Sequence, residues 1–198
     1  MTPGTTTRFD AAIAAFDAAN REDPHLENVH GTMTPGELLY AKRLSEWVVQ
    51  LEPHASEALR LAARCQHLCR WKIPRGDYPE GRGGYLKWRS TLAVFHAQRA
   101  GEILKSVGYD EDTIRHVQNI NLKKNLRKEP EVQVMEDALC LVFLQYQIAE
   151  FAEKHDDEML TGIIQKTWQK MSERGQEEAL KLNYSTRIQR LLKTALKR

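Results

Sequence analysis

The chain has 198 residues, of which 41% are hydrophobic and 28% charged. That length implies a single domain over residues 1–198, with one ordinary core over about 8–190, and the composition excludes a disordered chain. Twenty-nine basic residues against 27 acidic ones leave a net charge of +2, so no whole-protein field favours nucleic acid, although a local basic patch is compatible with the balance.

Three cysteines do not make a disulfide framework or complete a zinc site. Cys65 and Cys69, four apart among core-like residues, read as buried small hydrophobes. The polar start, Met1 to Thr7, lacks the apolar stretch of a secretory signal, and no run reaches the ~18 apolar residues of a membrane span. The expected compartment is the cytoplasm, with no membrane partner.

In chain order, residues 8–20 place Phe9, Ile13 and Phe16 at helical spacing. Residues 21–34 read as an irregular connection. Thr34 is the expected N-cap of a second helix that opens at Pro35 and Glu37 and stops before Pro53. Ser56 caps a third, EALRLAARCQHLCRW, read as continuous through Trp71. Residues 73–85 hold two prolines and four glycines, which predicts a loop long enough to serve function. A fourth helix is expected from about Leu86 to Val107, with Gly108 at its C′ position. A fifth carries Ile114, Val117 and Ile120. A basic turn over 123–130 precedes a strongly apolar helix, VMEDALCLVFLQYQIAEFAEKH, and two amphipathic helices follow at about 157–173 and 175–197. The fold class is all-α, a single-domain helical bundle.

Two features point to chemistry. On a continuous helix, Arg60, Arg64, His67 and Trp71 share one face beside core-like residues. Arg70, Arg75 and Arg82 with Tyr78 and Tyr85 follow, then Trp88, Arg89 and His96. Guanidinium forks and aromatic rings suit a phosphate or a planar ligand. The bland alternative is an exposed arginine face whose aliphatic stems cover the core edge. The second feature is Glu136–Asp137, two acids interrupting an apolar helix. At least one must face the interior or a cleft, where a carboxylate needs a cation, a metal or hydrogen bonds. A direct ion pair from one of Arg60, Arg64, Arg70, Arg75 or Arg89 is the expected partner.

The runs LRLAARCQHLCRWKIPR, GYLKWRSTLAVFHA, LKKN and VQVMEDALCLVFLQ resemble a family of uncharacterised microbial and fungal proteins, treated as a domain of unknown function and sometimes labelled glutamyl-tRNA synthetase-like. The resemblance covers about residues 8–190. KMSER at 170–174 is similar to the nucleotide loop of class I synthetases, but the partner HIGH-type motif and the alternating strand–helix pattern of a Rossmann core are missing, so the chain is not read as an aminoacyl-tRNA synthetase.

A more distant resemblance is to the all-helical HD-domain metal phosphohydrolases, and it implies an HD-domain-like bundle. AARCQHLCR is similar to the helix bearing that family's His-Asp pair, with either Gln66–His67 or His67–Leu68 at the pair. HAQRAGEIL places His96 at a further histidine, and Asp137 matches the late aspartate. Tyr40, with Glu37 one turn earlier, stands where the family has its early histidine, and Lys123–Lys124 where some members carry another.

Two functions are carried forward. In the first, a divalent transition metal held by His67, His96 and Asp137, with Glu136 or Glu37 assisting, activates water against a phosphorylated small molecule or nucleotide. His67, His96, Glu136 and Asp137 are then catalytic, and Arg64, Arg70, Trp71, Arg75, Tyr85, Trp88, Arg89 and Lys123 hold the substrate. In the second, the chain is a non-catalytic anion-, nucleotide- or RNA-binding helical protein with a degenerate metal site.

Overall fold

The computed structural model describes residues 6–126 and 128–196. Among them ten α-helices surround a core that includes Phe16, Leu44, Leu59, Leu61, Met135 and Leu141. The helices are α1 (Arg8–Arg21), α2 (Gly36–Leu51), α3 (Glu57–Cys65), α4 (Gly81–Ser106), α5 (Glu111–Asn121), α6 (Pro130–Val142), α7 (Ile148–Glu153), α8 (Asp157–Trp168), α9 (Glu173–Leu180) and α10 (Thr186–Ala195). The short helix α3 buries Leu59, Leu61, Ala62, Ala63 and Cys65 and packs on α1, α2, α5 and α6, leaving Glu57, Arg60 and Arg64 as its polar stripe. Six helices begin at a side-chain cap, from Thr7, Ser56, Asp110, Asp156, Ser172 and Ser185. Each such oxygen satisfies an amide that the first helical turn leaves without a partner. No helix among the described residues is long and apolar enough to cross a membrane.

The segment expected to be irregular contains a hairpin, β1 (Leu26–Val29) paired antiparallel with β2 (Thr32–Pro35). Its two-residue loop, His30–Gly31, has both φ angles positive (50° and 84°), the geometry of a type I′ turn. Most of its residues are exposed, so no apolar alternation advertises the strands. Thr34 is consumed by its pairing with Glu27 and does not cap α2. The cap comes from a distance. Buried Asp23 accepts the Glu37 amide at 2.9 Å and the His25 amide at 3.0 Å, tying the hairpin base to the helix start.

Four further features differ from expectation. The third helix stops at Cys65 instead of running to Trp71, and Cys69 takes a left-handed conformation at φ 56°. Helix α4 starts at Gly81, five residues early. Its first turn lies against Pro79 so closely that a Cβ on Gly84 would sit 1.8 Å from the Pro79 carbonyl oxygen. The long apolar helix is broken by a π turn over Phe143–Gln147, and the last amphipathic stretch is split between α9 and α10.

The turn after α3 is fixed by Asn20, which is fully buried. Its Oδ1 accepts the Cys69 amide at 2.9 Å, and its Nδ2 donates to the Glu37 carbonyl at 3.4 Å. Replacing Asn20 with Ala strands the Cys69 N–H in the core. The expected outcome is a loss of about 2 kcal/mol, read as a lower urea midpoint at unchanged m-value. An unchanged midpoint would refute this role for the amide.

Candidate functional site

A cleft of about 720 Å³ lies between the first turn of α2, the turn after α3, the start of α4, the segment following α5, and the α6–π–α7 stretch facing α8. Glu37 and Tyr40, one turn apart on α2, line one side. The Tyr40 ring stacks on His67 at 4.2 Å between centroids and 14° between planes. His67 Nδ1 lies 3.7 Å from Glu37 Oε2, and Arg70 Nε lies 3.8 Å from Oε1 of the same carboxylate. Both approaches are polar contacts longer than a hydrogen bond. The Arg70 guanidinium also sits over the Trp88 ring at 5.0 Å, and Trp88 is itself fixed by donating from Nε1 to the Ile73 carbonyl at 2.9 Å. Arg89 meets the Tyr85 hydroxyl at 3.2 Å.

Opposite stands Glu136, 3% exposed. It pairs with Lys123, which follows α5 in a left-handed conformation, and Lys170 lies 3.7 Å away. A carboxylate this buried requires cationic company. The partner is therefore lysine, and the expected arginine pair with Glu136 or Asp137 does not occur among the described residues. The arginines are spent elsewhere. Arg64 makes a two-pronged pair with Asp17 on α1 at 2.6 and 2.8 Å, and Arg60 covers the Phe9 ring at 4.3 Å. Arg75 closes its own loop by donating to the Tyr78 and Pro79 carbonyls. The shared face drawn through Arg60, Arg64, His67 and Trp71 fails because the helix ends between Arg64 and His67. Trp71 packs against the core.

His96, buried on α4, donates from Nδ1 to the Leu68 carbonyl at 2.8 Å, since a carbonyl can only accept. Its Nε2 has no partner among the described residues, nor has Gln66 Oε1 in the cleft wall. The His96 and His67 rings are 5.8 Å apart. Burial holds both imidazoles in the neutral form. His96 falls from 6.5 to about 4, and His67 well below its usual value, with Arg70 adding to the effect in each case. Burial acts on Glu37 in the opposite sense. Its carboxyl rises from 4.5 to about 7, although Arg70 pulls it down, and Asp23 and Glu27 push it further up. Tyr40 stays protonated because burial raises its hydroxyl, and Cys140, lifted to about 12 chiefly by burial, remains a thiol.

Asp137 faces away from this cleft. Its carboxylate accepts the amide and the hydroxyl of Ser172 and the Gln133 amide at 3.0 Å, anchoring the start of α9. Helix α9 comes so near that a Cβ on Gly175 would lie 2.7 Å from the Asp137 carboxyl carbon. His67, His96 and Asp137 thus do not present three donors to one point. Among the described residues no three His, Cys, Asp or Glu side chains group to hold a metal ion. The donors present do not fit the expected divalent cation, and two ammonium groups beside Glu136 oppose one there.

The cleft collects Glu37, Tyr40, His67, Arg70, Tyr85, Arg89, Lys123 and Glu136 from positions singled out in the sequence. Gln66, placed beside His67 by the HD-domain resemblance, lines it too, whereas Asp23, Lys170 and the apolar wall were not anticipated. Lys170 stands out in the sequence only as the first residue of KMSER, whose Ser172 caps α9 and whose Met171 is buried.

A family described as a domain of unknown function, DUF4202, matches residues 10–192, and the chain belongs to that family. No curated protein and no solved structure matches it.

Two measurements check this reading. Asp137→Ala removes an acceptor shared by three donors, and a stability loss of about 3 kcal/mol is expected, with anion binding in the cleft falling less than on Lys170→Ala. An equal loss of binding would move Asp137 back into the site. For His96, folding lowers the pKa, so the unfolded chain takes the proton first as pH falls. The neutral ring therefore stabilises the fold above 6.5, and this is lost as pH drops from 6.5 towards 4. Parent and His96→Gln stabilities should converge by about 3 kcal/mol between pH 7 and pH 4. Parallel curves would place the ring in a wetter setting.

Proposed function

We propose that the chain binds a phosphate-bearing small molecule or nucleotide in this cleft without a metal ion, on a scaffold of HD-like arrangement. One observation carries the reading: four cationic side chains, Arg70, Arg89, Lys123 and Lys170, converge on one cleft whose acids are largely engaged. Asp23 is taken by His25 and the α2 amide, Glu27 pairs with Arg43, and Glu136 is shared by two lysines. Arg89 meets no carboxylate among the described residues. An incoming phosphate would meet guanidinium forks suited to its oxygens. The HD-like reading rests on the same place. Tyr40, Gln66–His67 and Lys123, which occupy the ligand positions of that resemblance, all line the cleft, and there they form a cationic and aromatic surface.

A second reading, hydrolysis of a phosphate ester, is favoured by Glu37 alone. A carboxyl lifted to about 7 is half ionised near neutral pH, and it stands beside the cationic groups where it would accept a proton from water. In that scheme Arg70, Arg89 and Lys123 offset charge developing on the phosphoryl oxygens.

Sulfate is the cleanest probe, because it does not titrate near neutrality. Arg89→Ala and Lys170→Ala are each expected to weaken sulfate binding about tenfold, the loss of roughly 1.4 kcal/mol of charge-assisted contact. Arg64→Ala, engaged with Asp17, should leave binding alone. Because the Glu37 charge opposes an anion, affinity is expected to fall as pH rises through about 7, and Glu37→Gln should abolish that fall. Calorimetric titration at pH 6 and pH 8 decides the matter. Indifference of sulfate binding to Arg89 and Lys170 refutes the proposal.

A further inference from the structure

The cationic groups reach the cleft from two sides, Arg70 and Arg89 from one and Lys123 and Lys170, beside Glu136, from the other. The wall formed by α6, the π turn, α7 and α8 is of another kind: Leu139, Phe143, Phe151 and Ile163, with Gln147 and Thr167 as its polar positions. In an uninterrupted α-helix, steps of four residues drift by about 40° each, so Leu139, Phe143, Gln147 and Phe151 would wind off a common face. The wider π turn over Phe143–Gln147 takes back that drift and aligns all four along the cleft. Phe143 and Phe151 meet edge to face at 5.8 Å, and Phe151 also stacks on His155 at 3.9 Å. The wall residues thus brace one another and are only partly buried.

We infer that the occupant of the cleft is an organic phosphate with a planar, largely apolar group, seated with its phosphate at Arg70, Arg89, Lys123 and Lys170 and its ring against Leu139, Phe143, Phe151 and Ile163. This rests on the anion-binding reading above and adds the other half of the ligand. Inorganic phosphate alone would leave the apolar wall in water. A purely apolar ligand would leave Arg89, which meets no carboxylate among the described residues, without a counter-charge. A cleft of about 720 Å³ is the size that encloses a drug-sized organic molecule, for which sites of roughly 300–1,000 Å³ are usual. Gln147 and Thr167 would supply hydrogen bonds at the ring's edge, which distinguishes a heteroaromatic ring from a plain hydrocarbon.

The test compares 1-naphthyl phosphate, inorganic phosphate and 1-naphthol by calorimetry on the full chain. Naphthyl phosphate is expected to bind at least tenfold more tightly than phosphate, with naphthol the weakest. Phe143→Ala should erase the advantage of the naphthyl ring while leaving the affinity for inorganic phosphate unchanged. Ile163→Thr, a smaller perturbation, should reduce it in the same direction and guards against a folding defect in the first variant. Arg89→Ala should weaken both phosphates in parallel. If naphthyl phosphate binds no better than phosphate, or if its advantage survives both wall variants, the inference is overturned and the anion site stands. If neither phosphate binds, both fall.

Discussion

The buried amide of Asn20 joins three pieces of backbone that are far apart in the chain. From α1 it accepts the amide of Cys69 and donates to the carbonyl of Glu37. Cys69 sits in a left-handed conformation at the end of the turn that releases the chain from α3, and Glu37 opens α2. Holding these two points together sets His67 and Arg70 against the Glu37 carboxylate. Without a hydrogen-bonding side chain at that spot, the Cys69 N–H would be a desolvated donor in the core, and the turn would have to open towards water. The cleft therefore depends on a polar contact made behind it, in the core.

That arrangement produces an unusual charge state. The two imidazoles are neutral, the Tyr40 hydroxyl is protonated, and the Glu37 carboxyl is close to half charged, all for the same reason of burial. The remaining charges are the guanidinium and ammonium groups and the carboxylates of Asp23, Glu27 and Glu136, which already have partners. Arg89 is left as the cation that meets no carboxylate among the described residues. A divalent cation would find one carboxylate already shared by two ammoniums and a second held by a guanidinium. An anion would find the Arg89 guanidinium without a carboxylate partner among the described residues.

Much of this was legible in the sequence, and the failures have physical causes. Helical periodicity located the helices because the core is apolar and continuous. It could not locate the end of α3, since Gln66, Leu68 and Cys69 stay buried after the helix stops, so burial carries on while geometry changes. The hairpin escaped because its strands are mostly exposed and its turn uses His30–Gly31 instead of the commoner Asn–Gly. The region of the site was visible as a cluster of arginines, aromatic residues and interrupted apolar helices. Which arginine points where was not, because Asp17, the partner that draws Arg64 away, lies 47 residues earlier.

The adjacent acids Glu136 and Asp137 show how a single helical step separates two roles. Consecutive residues on a helix diverge by about 100°. On α6 that turn sends Glu136 towards Lys123 and Lys170 in the cleft, and Asp137 towards Ser172 at the head of α9. Both carboxylates are buried and so both must be satisfied, but by different means: one by ammonium groups that an anion could borrow, the other by backbone and hydroxyl donors that nothing can displace without unfolding the cap. Lys170 and Ser172 belong to the same short segment before α9. Asp137 therefore fixes the stretch of chain that carries the Lys170 ammonium to Glu136, and the acid outside the cleft positions a cation within it.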